Sequence, residues 1–152
     1  ISVLSSARPK IANYPFTTLI PNLGVVRKAD GNGCLFADIP GLISGAAEGV
    51  GLGHDFLRHI QRTKILIHLI DSIAENPIHD FEIIEKELKR YGSGLLNKER
   101  IVVLNKMELV DEDYLKIIIK KLENLSKKKV LVISSSLRKG LSSLLSEVWN
   151  KI

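Results

Sequence analysis

Cysteine is nearly absent: Cys34 is the only one in 152 residues. An internal disulfide and a cysteine-built zinc site are therefore excluded, and a reducing compartment fits. No apolar run approaches the roughly 20 residues that span a bilayer. Residues 1–10 lack the basic-then-apolar order of a signal peptide, so a cytoplasmic chain is expected. Repeats, low-complexity tracts and composition shifts are missing as well, and one domain over residues 1–152 is expected. Two hydrolytic patterns are absent. Without Gly-x-Ser-x-Gly, the serines at 134–136 are no hydrolase nucleophile; without His-Glu-x-x-His, His54 and His59 lack metal-ligand spacing. Acidic residues are outnumbered, 17 against 22 basic, for a net charge of +5. That bias is compatible with an RNA or ribosomal partner without demanding one.

What the chain does have is ordinary globular composition, 45% hydrophobic and 26% charged, and one unusual stretch. In residues 33–53, GCLFADIPGLISGAAEGVGLG, a short apolar run stops at Asp38 and the chain breaks at Pro40-Gly41. An apolar strand, an acid at its C-terminal tip and a glycine-rich loop together form a ligand-binding arrangement of α/β sheets. Alone, the pattern reads more readily as a strand end with a solvated aspartate, since four-residue patterns recur by chance.

Strand-helix alternation organises the rest. Segments 23–27 and 34–38 read as strands joined through Asp-Gly and Asn-Gly, which predicts an antiparallel hairpin. Residues 8–22, with Pro9, Pro15 and Pro21, read as loop. Helical spacing is expected at 1–7 and 54–63. Strands at 65–70, 101–104 and 130–133 alternate with helices at 81–91, 114–125 and 141–152. Near-continuous apolar strands in this order predict an α/β fold, a mostly parallel sheet covered on both faces with one antiparallel edge hairpin. His68, within an apolar strand, reads as a core histidine, and Cys34 as a buried structural thiol. The lysines at 127–129 read as a solvated approach to a strand.

The strand tips at one edge of such a sheet converge. Here they carry Asp38, then Asn105-Lys106-Met107-Glu108, then Ser134-Ser135-Ser136, preceded by a loop containing Phe16-Thr17-Thr18. On these residues the chain resembles the GTP-binding domain of translation-factor-type GTPases, and within them the Obg family of ribosome-assembly GTPases. Residues 7–26, ARPKIANYPFTTLIPNLGVV, resemble the family's first switch; residues 37–59, ADIPGLISGAAEGVGLGHDFLRH, resemble its second. The likeness extends over essentially the whole chain.

The resemblance implies a three-layer P-loop GTPase domain that binds GTP and GDP with Mg²⁺, and K⁺ as a candidate activator. Its partners would be a guanine nucleotide and the large ribosomal subunit or its RNA, and the protein would be a monomer. Thr18 (Thr17 as second choice) would meet Mg²⁺ through its hydroxyl and the γ-phosphate through its N–H, and Asp38 would hold the ion through a water. The Gly41 N–H would reach the γ-phosphate, which makes Thr18 and Gly41 the catalytic candidates, with Phe16, Ile39 and Pro40 flanking them. Asn105 would hold the guanine edge, the Lys106 stem would lie along the ring, and Glu108 would accept from guanine N1 and N2. The Ser135 N–H would donate to O6, with Met107, Ser134 and Ser136 completing the site.

Three departures from the family pattern stand out. Glu108 replaces the usual Asp, one methylene longer, so its carboxylate must tilt or retreat. Leu42 follows the Asp-x-x-Gly pattern where many GTPases place a water-orienting Gln, which implies slow intrinsic hydrolysis or outside help. The phosphate loop, Gly-x-x-x-x-Gly-Lys-Ser/Thr, appears nowhere in residues 1–152. The expected domain thus lacks its first strand and that loop, and a non-catalytic, partner-binding module is the alternative reading.

Overall fold

The computed structural model describes residues 1–5, 10–11, 22–28, 30–38, 62–91 and 94–152. They fall into two compact units, Ile1–Ile60 and Gln61–Ile152.

In the first unit, β1 (Lys10–Ile11), β2 (Asn22–Arg27) and β3 (Gly33–Ala37) form an antiparallel sheet in the order β1-β2-β3. The β2–β3 hairpin runs from Leu23 opposite Ala37 to Arg27 opposite Gly33. Its turn is closed by chemistry visible in the sequence. Gly31 takes φ 88°, which glycine adopts at no steric cost, and Asp30 Oδ1 accepts from the Asn32 N–H at 2.9 Å. The two-residue β1 is a correction to the loop expected at 8–22: between Pro9 and the next prolines, two residues still pair with β2. Residues 1–5 form a single turn, the Ile1 carbonyl accepting from Leu4 and Ser5 at 3.0 Å. This turn lies on β2, because a Cβ at Gly24 would collide with the Ile1 side chain, and Ser5 Oγ donates to the Val25 carbonyl at 3.1 Å. Cys34 is half-buried rather than enclosed, and partial burial raises its thiol pKa.

The second unit alternates β4 (Leu66–Asp71), α1 (Pro77–Tyr91), β5 (Arg100–Asn105), α2 (Glu112–Ser126), β6 (Val130–Val132) and α3 (Leu141–Lys151). Its sheet is parallel in the order β4-β5-β6. β5 is central, so Ile101 to Leu104 are all at most 3% exposed, as a strand covered on both faces requires. Ile70, Val102, Leu104 and Val130 pack on Phe81 of α1 and on Ile118 and Leu122 of α2. Ile101 and Leu131 face the other way, towards Glu147 and Lys151 of α3. Three layers result, α1 and α2 on one face and α3 on the other.

Helix ends follow their caps more than their apolar spacing. α1 begins four residues before the expected 81, because Asn76 Oδ1 accepts from the His79 N–H at 3.0 Å and Pro77 takes the first helical position. α2 starts at Glu112, after the N-cap Asp111, whose carboxylate accepts from the Tyr114 N–H at 2.8 Å. Gly140, φ 74°, opens α3.

His68 is buried as expected. Its ring stacks on Phe81 with centroids 4.9 Å apart, near an ion pair between Glu85 and the buried Arg100, whose Nη2 donates to Oε2 at 2.9 Å. Burial, with the Arg100 charge adding to it, lowers the His68 pKa to about 4. The expected helix at 54–63 and the glycine-rich loop lie almost wholly outside the described residues.

Candidate functional site

At the C-terminal edge of the parallel sheet, β4 and β5 end on the polar residues Asp71 and Asn105, and β6 is followed two residues on by Ser134. Parallel pairing puts Asp71 opposite Asn105 and Leu104 opposite Val132, so whatever follows each strand arrives at the same level.

Asn105 is the hub. Its Oδ1 accepts from both the Ser135 N–H and the Ser135 hydroxyl, each at 3.0 Å. An amide oxygen with two lone pairs sits within reach of both donors of one residue, so Ser135 fixes Asn105. These two bonds engage only the amide oxygen, not the Asn105 side-chain NH₂.

Lys106 takes a left-handed conformation, φ 66°, which turns the chain sharply into a short 3-10 segment, Met107–Leu109. Two residues of β4's end hold this turn. Ser72, fully buried, donates from its hydroxyl to the Lys106 carbonyl at 3.0 Å, and its N–H donates to the Asn105 carbonyl at 3.1 Å. Asp71 Oδ2 receives the Lys106 ammonium at 2.6 Å. Both side chains are about 40% exposed, so the pair adds roughly 0–1 kcal/mol of stability; its effect is to aim the lysine. Asp71 and Ser72 were missed as site residues. Asp71 carried the same signal as Asp38, a polar residue at the tip of an apolar strand, whereas Ser72 carried none.

Glu108 completes the site. Its Oε1 accepts from the Ser136 hydroxyl, and Ser136 Oγ lies 3.2 Å from Ser134 Oγ. Ser134 is fully buried and accepts from the Leu137 N–H at 3.1 Å. The Ser136 hydroxyl first, and Ser134 second, hold the Glu108 carboxyl below the usual carboxylate range, so it is an acceptor at neutral pH. Met107 ties the two loops together through its N–H to the Ile133 carbonyl at 3.3 Å.

The structure thus brings together Asn105, Lys106, Met107, Glu108, Ser134, Ser135 and Ser136. Asp38 lies exposed just past β3 in the other unit. Phe16, Thr17, Thr18, Ile39, Pro40 and Gly41 lie outside the described residues. A recess of about 210 Å³ opens at the opposite end of β5 and β6, where Glu99 pairs with Lys151 at 2.7 Å and Lys128 at 3.5 Å. Its charges answer one another.

Comparison with known proteins places the chain in a family. Residues 1–106 match a family model described as a 50S ribosome-binding GTPase. A GTPase Obg from Prochlorococcus marinus subsp. pastoris is 95% identical over the whole chain, and one from P. marinus strain NATL2A is 62% identical. The chain spans 46% of the length of each. Among solved structures, Era in complex with MgGDPNP and part of 16S ribosomal RNA aligns at TM-score 0.70 and 22% identity, covering 99% of this chain and 50% of Era. The cytosolic domain of L. pneumophila FeoB aligns at TM-score 0.69 and 19% identity, covering 99% of this chain and 62% of that one. At such identities the structural likeness speaks for the α/β GTPase fold alone. The sequence match goes further: the chain belongs to the 50S ribosome-binding GTPase family, with Obg proteins among its relatives.

Proposed function

We propose that this chain is the nucleotide-reading part of a cytoplasmic, monomeric GTPase that binds GTP and GDP with Mg²⁺, hydrolyses GTP slowly and acts in assembly of the large ribosomal subunit. The observation that carries the nucleotide reading is the convergence of Asn105 and Glu108 beside one sheet edge, one presenting an amide NH₂ and the other a carboxylate. Guanine offers adjacent N1–H and N2–H donors that match a carboxylate. Adenine offers a donor where guanine has O6 and lacks the 2-amino group, so it would leave buried polar groups unpaired.

The other end of the nucleotide rests on resemblance. Thr18 and Asp38 would hold Mg²⁺: a hydroxyl and an exposed carboxylate are the hard oxygen donors it takes, and an ion that keeps most of its waters needs no cluster of acids. Bound there, the ion would neutralise developing charge on the phosphates. Gly41 would offer its N–H to the γ-phosphate, and Leu42 can orient no water, so K⁺ or a partner would supply what is missing. The ribosomal role follows the family. No helix among the described residues is long and apolar enough to cross a membrane. The family match favours this reading over a non-catalytic module.

Competition binding on the full-length protein tests it. GDP should displace a labelled guanine nucleotide far better than ADP does, and Glu108→Ala should cost about 1–3 kcal/mol of that preference through unpaired donors. Equal displacement by ADP would overturn the reading.

A further inference from the structure

We propose that Ser136 is a specificity-determining positioning residue, whose hydroxyl holds the Glu108 carboxylate where a base with two adjacent N–H donors is read. The inference rests on the guanine reading above and adds a residue to it.

A glutamate has one torsion more than an aspartate, and its carboxylate sweeps a wider arc. Two hydrogen bonds to a planar base require both oxygens near one plane, so an unrestrained glutamate would meet the base in that geometry only part of the time. In this chain the restraint comes from Ser136, whose hydroxyl lies on Oε1. The serine is itself anchored. Its Oγ is 3.2 Å from Ser134 Oγ, and Ser134 is fully buried. Ser134 and Lys139 exchange backbone hydrogen bonds at 3.0 Å in both directions. The chain of hydroxyls thus runs from the fixed core to the mobile end of Glu108. It also favours the ionised carboxylate, the form that accepts from two N–H groups.

Only one of the two oxygens is committed. Glu108 Oε2 is buried and has no hydrogen-bond partner among the described residues, so a turn of the carboxylate about its Ser136 contact is what would present Oε2 to a donor on the base. An aspartate at 108 would end one methylene short of Ser136 and would not use it. The serine and the longer acid therefore work as a pair, and the pair carries the base discrimination that aspartate performs alone in the related motif.

The experiment is calorimetric titration of the full-length protein with GDP, IDP and ADP in the presence of Mg²⁺. IDP keeps N1–H and O6 but lacks the 2-amino group, so the GDP/IDP ratio reads the carboxylate geometry directly. Losing one hydrogen bond to a charged group, Ser136→Ala should weaken GDP binding about 5- to 10-fold and shrink the GDP/IDP ratio. Ser136→Thr, which keeps the hydroxyl, should leave both near wild type. In a Glu108→Asp background, Ser136→Ala should change GDP affinity less than about twofold. Ser136 is exposed, so these variants should fold. An unchanged GDP/IDP ratio in Ser136→Ala, or the same loss in both backgrounds, would refute the pairing while leaving guanine binding standing. A wild-type protein that binds GDP no better than ADP would overturn the guanine reading and this inference together.

Discussion

Gly140 and Gly94 provide a controlled test of how tightly the site's supporting loop is packed. Both precede helical segments, at nearly the same backbone angles, φ 74° and ψ −3° against φ 72° and ψ 11°. Alanine at either position must adopt the left-handed region, which costs about 1–2 kcal/mol and is partly offset by a stiffer unfolded chain. The surroundings differ. A Cβ at Gly94 meets nothing within 4 Å among the described residues, whereas one at Gly140 collides with the Val132 carbonyl and comes within 3.1 Å of Ile133 Cγ2. A carbonyl in the sheet cannot swing aside as a side chain can, so the backbone must shift, adding about 1–3 kcal/mol. Gly140→Ala should thus cost about 2–5 kcal/mol, a large part of the roughly 5–15 kcal/mol that holds a domain together. Urea unfolding followed through Trp149, the one tryptophan of the chain, measures it. Because Gly140 closes the loop that carries Ser134 to Ser136, GDP affinity should fall with it. Equal destabilisation by Gly94→Ala and Gly140→Ala would refute the reasoning.

Two further outcomes are expected. His68 has its pKa at about 4 when folded and near 6.5 when unfolded, so the unfolded state takes up the proton first. Stability should be fully present above pH 6.5 and decline as pH falls towards 4, by about 3 kcal/mol in total. Comparing urea midpoints across this window should show a shallower slope for His68→Gln, and identical slopes would refute the assignment. Asp71→Asn removes the partner of Lys106 at 2.6 Å between half-exposed groups. The unfolding midpoint should move by less than about 1 kcal/mol, while guanine-nucleotide affinity should drop several-fold as Lys106 loses its aim. Loss of stability with unchanged affinity would contradict it.

The framework of this fold was legible because its signals are local. Asp-Gly and Asn-Gly fixed the hairpin turn, and apolar runs marked every strand of the parallel sheet. The start of α1 was hidden because its first turn carries Asn76 and Pro77 instead of apolar spacing. The short β1 was masked by the prolines around it. In the site, the motif residues were readable by type and order. Their mutual bonds were not, since Asp71 reaches Lys106 across 35 positions and Asn105 reaches Ser135 across 30. The Ser135 N–H went to Asn105, a choice made by loop geometry that no spacing encodes.

Those separations bear on the order of folding. Four hydrogen bonds of the candidate base-reading edge join residues 28 to 35 positions apart: Lys106 to Asp71, Ser72 to Lys106, Ser135 to Asn105, Ser136 to Glu108. None can form inside a single hairpin or helix; each waits for a complete strand-helix-strand crossover, and long-range parallel pairing is slow. The binding edge is therefore among the last features to assemble, and a chain with α1 or α2 undocked has no edge with which to bind. A nucleotide that binds only the finished arrangement pulls the population towards it by mass action. On the proposed reading, a guanine nucleotide would then act as a late folding partner, and raising its concentration would raise the folded share of the chain.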